Sequence, residues 1–247
     1  MNLNNVIAAR STKTIYRDGD LVIKLFNEGY SAADVLNEAH NLVIVEEIGF
    51  RVPKLVNVEK YDGKWAIVTE FVEGKTLAQL IEEDEARIDY YFDRMIDIQL
   101  EMHRYTAEKL RRHTDKMDAK ISVSGLDATT RYELHTRLAS LPKHLKLCHG
   151  DFGPDNIVIN DGGYCVLDWS HATQGNASAD AARTFLLFRI AADNGRAEKY
   201  LDAFCKKSDT ALQYVQKWIP IVAASQLVKG RPEEREFLLR WINVVEY

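Results

Sequence analysis

Cysteine is scarce and poorly placed for crosslinking: Cys148, Cys165 and Cys205 are odd in number and none belongs to a CxxC pair, so neither a disulfide framework nor a cysteine zinc site is expected. Each reads as a small buried hydrophobe in a reducing cytoplasm. Long apolar runs are missing as well. No stretch of about 18 apolar residues occurs, and the start, MNLNNVIAARSTK, has no basic segment followed by an apolar run, so neither a membrane span nor secretion is expected. With 13 glycines and 5 prolines the chain has too few of either to be disordered or fibrous. Positive charge is not in excess: 32 Lys and Arg against 37 Asp and Glu give a net charge of −5, which argues against a general nucleic-acid binder with a basic face. What is present, 46% hydrophobic and 28% charged residues over 247 positions, describes one large globular domain or two small lobes sharing a core.

The texture of the sequence changes near residue 73. Before it, TKTIYR and LVIKLF flank Asp18-Gly19-Asp20, and PKLVNVEK and KWAIVTEF flank Tyr61-Asp62-Gly63, two hairpin signals built on Asp-Gly turns. One helix is expected between them. Ser31 with Asp34 gives its start, Val35, Ala39, Leu42 and Val43 its apolar stripe, and Gly49 its stop. After Gly74 the pattern turns helical: Thr76 with Gln79 forms a capping-box pattern, Ile88, Tyr91, Phe92, Met95 and Met102 mark a helix over roughly 87–104, and another is expected after Asp127. The exception is a third hairpin, NIVIN and YCVLDW around Asp161-Gly162-Gly163. Three or four helices are expected over 177–245, with Pro220 breaking one and Pro232 opening the last. The predicted class is α+β in two parts: residues 1–73, a small antiparallel-sheet lobe with one main helix, and residues 74–247, a larger, mostly helical lobe.

The segment LCHGDFGPDNIVIN carries His149, Asp151 and Asn156 just before that third hairpin, and Asp168 closes it. Phosphoryl transfer from a nucleotide needs a carboxylate to take the proton of an acceptor hydroxyl, and oxygen ligands to hold magnesium on the phosphates. Asp151 can supply the first, Asn156 and Asp168 the second. The hairpin accounts for the spacing, because the chain runs out and back and returns Asp168 beside Asn156. An ordinary polar loop would also use Asp and Asn in this way, so the first lobe is the independent test. Alternation within LVIKLF puts Val22, Lys24 and Phe26 on one face. An ammonium aimed among apolar neighbours needs a partner, and Glu38, on the border of the helix stripe, is the natural one. Glu46 is the rival, at the unfavourable end of the helix dipole.

With these motifs in view the chain resembles the aminoglycoside phosphotransferase family, small-molecule kinases on the protein-kinase fold. The resemblance covers nearly the whole length: VIK at Lys24, Glu38 followed by Val52-Pro53, TEFVEGKTL, HGDFGPDN, VLDW, and Gly175 with Asp180. It implies that Asp151 is the catalytic base, that Asn156 and Asp168 are magnesium ligands, and that Lys24 contacts the nucleotide phosphates and pairs with Glu38. It further implies that TEFVEG is a hinge whose Glu70 carbonyl and Val72 N–H hold the purine edge. The expected donor is ATP, with GTP left open, and the expected partner is a small molecule bearing a hydroxyl.

The sequence departs from protein kinases in the loop over the phosphates, AARSTK, which has no glycine; Ser11 and Thr12 are the groups it offers instead. Trp169, in DWS, is expected to pack, His149 to brace its loop, and Asp180 to anchor the catalytic loop or cap the helix at Ala181. Acidic residues such as Asp202, Glu233, Glu234 and Glu236 are expected to be solvated helix charges rather than a polycation site. Two other functions stay open at this stage: a catalytically weak nucleotide-binding regulatory module, and a metal-dependent hydrolase using His149, Asp151, Asp168 and His171.

Overall fold

A computed structural model describes residues 2–242. In chain order the elements begin with β1 (Val6–Ala9), β2 (Lys13–Asp18), β3 (Leu21–Phe26), α1 (Ala32–Glu47), β4 (Leu55–Tyr61) and β5 (Lys64–Glu70). Next come β6 (Lys75–Thr76), α2 (Leu77–Glu83), α3 (Ile88–Met102), α4 (His113–Ser122), α5 (Ala128–Ser140) and β7 (Lys146–Cys148). The remainder is β8 (Ile157–Asn160), β9 (Gly163–Val166), β10 (Thr173–Gly175), α6 (Ala177–Ile190), α7 (Asn194–Ser208), α8 (Leu212–Gln216), α9 (Ile219–Leu227) and α10 (Pro232–Ile242). The last expected helical positions, 243–245, lie outside the described residues.

Contacts divide the chain into two compact units, one running through Ile88 and taking in Gly153–His171, the other made of Asp89–Phe152 and the chain from Ala172 on. The first holds a five-stranded sheet in the order β1-β2-β3-β5-β4, antiparallel throughout. Both expected hairpins are present, and at the second turn Asp62 and Gly63 have φ of 48° and 76°, the left-handed pair that a tight hairpin needs. Ile23, Leu25, Ala66 and Val68 form the core on one side of the sheet. On the other, Phe26 and Ile67 pack with Val35 and Ala39 of α1. The helix starts as its sequence indicates, with the Ser31 side chain accepting the Asp34 N–H at 3.3 Å.

The change of texture at residue 73 does not coincide with the division of contacts. Lys75 and Thr76 pair with Ile159 and Val158, which joins the start of the helical stretch to the third hairpin in one three-stranded sheet, β6-β8-β9. A two-residue strand has no periodicity to read. Gly74 permits the contact: its φ is +132°, and a Cβ there would lie 2.3 Å from the Ile159 carbonyl oxygen, so only glycine fits.

The second unit is helical, with β7 and β10 paired inside it. Every residue of α9 is buried, as its mostly apolar sequence favours. Pro220 sits in the first turn of α9 and separates it from α8, and Pro232 opens α10. After residue 177 five helices are described rather than three or four, because the five-residue α8 is too short to show a period. Helix α4 was not legible either: Arg112 stands at its N-cap with no capping side chain, so the usual start signal is missing. Among the described residues no helix is long and apolar enough to cross a membrane.

Candidate active site

In the first unit the expected ion pair is present. Opposite residues of an antiparallel pair share a face, and the β2–β3 register sets Ile15 against Lys24 and Lys13 against Phe26, so both lysines project on the side covered by α1. Lys24 Nζ donates to Glu38 Oε1 and lies 3.4 Å from Asp168 Oδ1. Glu38 is buried and Glu46 plays no part in this contact. Burial opposes the Lys24 charge, yet Asp168 and Glu38 outweigh it and raise its pKa above the ordinary value. For Asp168 burial again opposes the charge, and Lys24 with Lys13 overcomes it, holding the carboxyl well below the usual carboxylate range.

Lys13 is the residue that sequence reasoning missed. Its Nζ stands 3.2 Å from Asp168 Oδ2 and 3.9 Å from Glu38 Oε2, while burial and then the Lys24 charge lower its pKa. The signal was available in the Asp18-Gly19-Asp20-Leu21 turn, whose register, followed back six residues, brings Lys13 onto the Lys24 face. Ser11 and Thr12 form the exposed tip of the β1–β2 hairpin, closed by Arg10 N–H donating to the Lys13 carbonyl at 2.9 Å. The tip is tied down by Asn27, whose side chain donates to the Ser11 carbonyl and whose N–H donates to that of Thr12, each at 2.9 Å. A short braced turn thus stands where protein kinases use a glycine-rich loop.

Asp168 adopts a left-handed conformation with φ of 59°, and the chain on both sides of it is fixed. Leu167 N–H donates to the Asn156 carbonyl at 2.8 Å, which returns Asp168 to the vicinity of Asn156 as the hairpin implied. Beyond it, the Trp169 carbonyl accepts from buried Asn41 at 3.1 Å, one turn past Glu38 on α1. Trp169 is packing, edge-on to Phe50 at 5.6 Å. In the segment TEFVEG, Glu70 N–H donates to Lys54 at 3.0 Å and Phe71 N–H to Asp20 at 2.8 Å, so successive residues address opposite edges of β5.

The donor set suits magnesium in one way only. Among the described residues no three His, Cys, Asp or Glu side chains are grouped to hold a metal, which leaves Asn156 and ionised Asp168 as two protein ligands. Magnesium accepts such a site when waters and phosphate oxygens complete the octahedron. Two ammonium groups beside Asp168 disfavour the metal alone and favour its arrival with a polyanion.

Asp151 belongs to the second unit, with its side chain about one-third exposed (35%) and Arg183 Nη2 3.8 Å from Oδ1. Helix α6 holds its loop. Asp180 accepts the Gly150 N–H at 2.7 Å, Arg183 Nε donates to the Gly150 carbonyl at 3.2 Å, and the Thr184 hydroxyl donates to the Phe152 carbonyl at 3.1 Å. Gly150 has a φ of +79°, which favours glycine there. Asp180 is buried, and burial alone would raise its pKa; His103 and the Gly150 N–H reverse this and keep it ionised. Since a carboxylate only accepts, His103 must donate from Nε2, 3.1 Å away. Of the two roles expected of Asp180, it takes the loop anchor, and the helix cap falls to Asn176, which accepts the Ser178 N–H. His149 braces the loop by accepting the Asp151 N–H on Nδ1 at 3.2 Å.

Behind Asp151 in the same unit, α4 carries Lys116, whose pKa burial and then Lys120, Arg183, Arg111 and Lys229 push down to about 7. An unfolded lysine titrates near 10.4, so between these values the unfolded chain binds more protons and stability contributed by this position rises with pH. Lys116→Met, which keeps the aliphatic stem, should therefore raise the melting temperature at pH 6 and lose most of that gain by pH 9.5. Thermal unfolding at both values is the check; an equal gain at each would contradict the assigned charge crowding.

Residues 6–216 match the family described as the phosphotransferase enzyme family. A comparison with curated proteins found no match. Among solved structures, a thermostable mutant of aminoglycoside phosphotransferase APH(4)-Ia superposes with a TM-score of 0.71 at 14% identity, covering 96% of this chain and 92% of that one. Choline kinase LicA from Streptococcus pneumoniae gives 0.62 at 16%, covering 98% and 93%. Aminoglycoside phosphotransferase APH(3'')-Id from Streptomyces rimosus, solved with ADP and streptomycin, gives 0.60 at 15%, covering 86% and 90%. At these identities the likeness establishes the protein-kinase-like α+β fold.

Proposed function

Because the chain belongs to the phosphotransferase enzyme family, we propose that it moves the γ-phosphate of ATP to a hydroxyl of a small molecule, with Asp151 as the base. The observation that carries this reading is the pair Lys24 and Lys13 on the sheet face covered by α1, gathered about Glu38 and Asp168. Two ammonium groups brought together in this way suit a phosphate ligand. The nucleotide role belongs to residues 1–73, including Ser11 and Thr12 at the hairpin tip and the Glu70 carbonyl and Val72 N–H at the purine edge, with Lys13 added. Acceptor binding and the base belong to the chain after residue 74.

In the step itself the acceptor oxygen forms a bond to the γ-phosphorus, the bond from that phosphorus to the β–γ bridging oxygen breaks, and ADP departs with the electron pair. The acceptor proton passes to a carboxylate oxygen of Asp151. Lys24 and Lys13 bind and orient the phosphates, and Glu38 fixes Lys24 in place. Asn156 and Asp168 would hold magnesium, which when bound neutralises charge on the phosphate oxygens. ATP bound to APH(3'')-Id's kind of fold is supported by the ADP in that relative, and the antibiotic and choline named for the neighbours support a small acceptor.

ATP and magnesium should stabilise the protein jointly. At a ligand concentration of 100 times its dissociation constant the gain is about 2.7 kcal/mol, whereas magnesium alone should shift the melting temperature little, since Asp168 is already satisfied by two lysines. A melting curve unmoved by millimolar ATP with magnesium would count against the kinase reading.

A further inference from the structure

The surroundings of Asp151 are crowded with positive charge. Arg183 on α6, beside Asp151, donates to Gln226 of α9 at 2.7 Å; Gln226 donates to Glu234 at 2.5 Å; and Glu234 accepts Arg231 at 2.7 Å. This hydrogen-bonded chain joins α6, α9 and the first turn of α10 and has an arginine at each end. Lys229 lies in the short connection between α9 and α10. Helix α4, packed against α9, adds Lys116 and Lys120 one turn apart on one face, and Arg111 precedes it. Burial and then Arg183 and Lys229 push the Lys120 ammonium down to about 8. Lys229 is exposed, so desolvation counts for less there, and Arg183 lowers its pKa against the pull of Asp151. Arg183 and Lys229 are thus within electrostatic reach of Asp151, and Lys116 and Lys120 within reach of Arg183 and Lys229.

The nearby carboxylates are already committed. Glu234, expected from the sequence to be a solvated charge, is buried and gives its oxygens to Arg231 and Gln226. Asp180 is spent on Gly150 and His103. A cationic acceptor would therefore meet the like charge of Arg183 and Lys229 near Asp151, and an anion would relieve the repulsion among these groups.

The geometry points to an acceptor that carries an anionic group, a phosphomonoester or a carboxylate, besides the hydroxyl to be phosphorylated, with Lys116, Lys120, Arg183 and Lys229 as its recognition residues beside Asp151. This rests on the kinase reading and specifies its substrate class, setting the chain apart from relatives whose named ligands are streptomycin or hygromycin B.

Binding of simple probes to the full chain without nucleotide tests it directly. Glycerol 3-phosphate, glycerate, glycerol and choline are titrated separately, to the wild type and to the double variant Lys120→Gln with Lys229→Gln. At least one anion should bind at least tenfold tighter than glycerol or choline, and the double variant should lose tenfold or more of that affinity. Preference for glycerol 3-phosphate assigns a phosphomonoester and preference for glycerate a carboxylate. Choline binding tighter than both anions, or an anion affinity that the double variant leaves within twofold, overturns the proposal. So does a parallel loss of ATP–magnesium affinity in the double variant, which would make these lysines part of the nucleotide site. Intact anion binding in a protein that fails to bind ATP with magnesium would be a failure of the kinase reading alone.

Discussion

Replacing Asp151 with Asn should lower phosphate transfer by roughly 10²- to 10⁴-fold, the usual scale for loss of a general base, and leave nucleotide binding nearly unchanged. Asn keeps the shape and the loop is held from elsewhere: Gly150 by Asp180 and Arg183, Phe152 by Thr184. Asp168→Asn should behave differently. Its left-handed backbone, φ 59°, is tolerated by Asn, so the fold should survive, but the charge that Lys13 and Lys24 share and that a magnesium ion needs is gone. Nucleotide affinity in magnesium should fall roughly 10- to 100-fold, the worth of one or two contacts to a charged group, and turnover should fall with it. Titrating ATP with and without magnesium into both variants separates the two roles. If Asp151→Asn abolished magnesium-linked binding and Asp168→Asn spared it, base and metal ligand would have been exchanged.

The second large effect is on stability. Asp180→Ala removes a buried anion on which the Gly150 N–H, His103 Nε2 and Gln99 Nε2 converge at 2.7, 3.1 and 3.4 Å, stranding three donors. The expected cost is about 3–5 kcal/mol, as for breaking other buried charged networks, and denaturant unfolding would read it as a lower midpoint. Asp180→Asn retains part of the network and should cost less. A loss under 1 kcal/mol for the alanine variant would mean that Gly150 is positioned by something other than α6.

The residues proposed for the chemistry were legible where a local rule applies. Lys24 followed from alternation in a strand bounded by Asp-Gly turns, Glu38 from the stripe of α1, and the approach of Asp168 to Asn156 from a hairpin. What escaped depends on contacts between distant segments. Arg183 and Thr184 lie on a helix that reads as an ordinary apolar stretch, and their partners are backbone carbonyls of Gly150 and Phe152, which no side-chain pattern announces. Asn41 sits among Leu42, Ile44 and Val45 as a buried amide whose only explanation is the Trp169 carbonyl. The gathering of Lys116, Lys120, Lys229 and Arg183 is invisible in a chain of net charge −5, because these residues come together from α4, α6 and the connection after α9.

The pairing of β6 with β8 sets an order of events for a chain made from one end to the other. The unit that contains the five-stranded sheet is not complete at Ile88; its last segment, Gly153–His171, emerges only after the whole of Asp89–Phe152 has been synthesised. At about 5–20 residues per second the sheet and α1 wait for several seconds on the ribosome with two lysines, Lys13 and Lys24, sharing a single carboxylate, Glu38. Only when residue 168 leaves the exit tunnel does the second anion arrive.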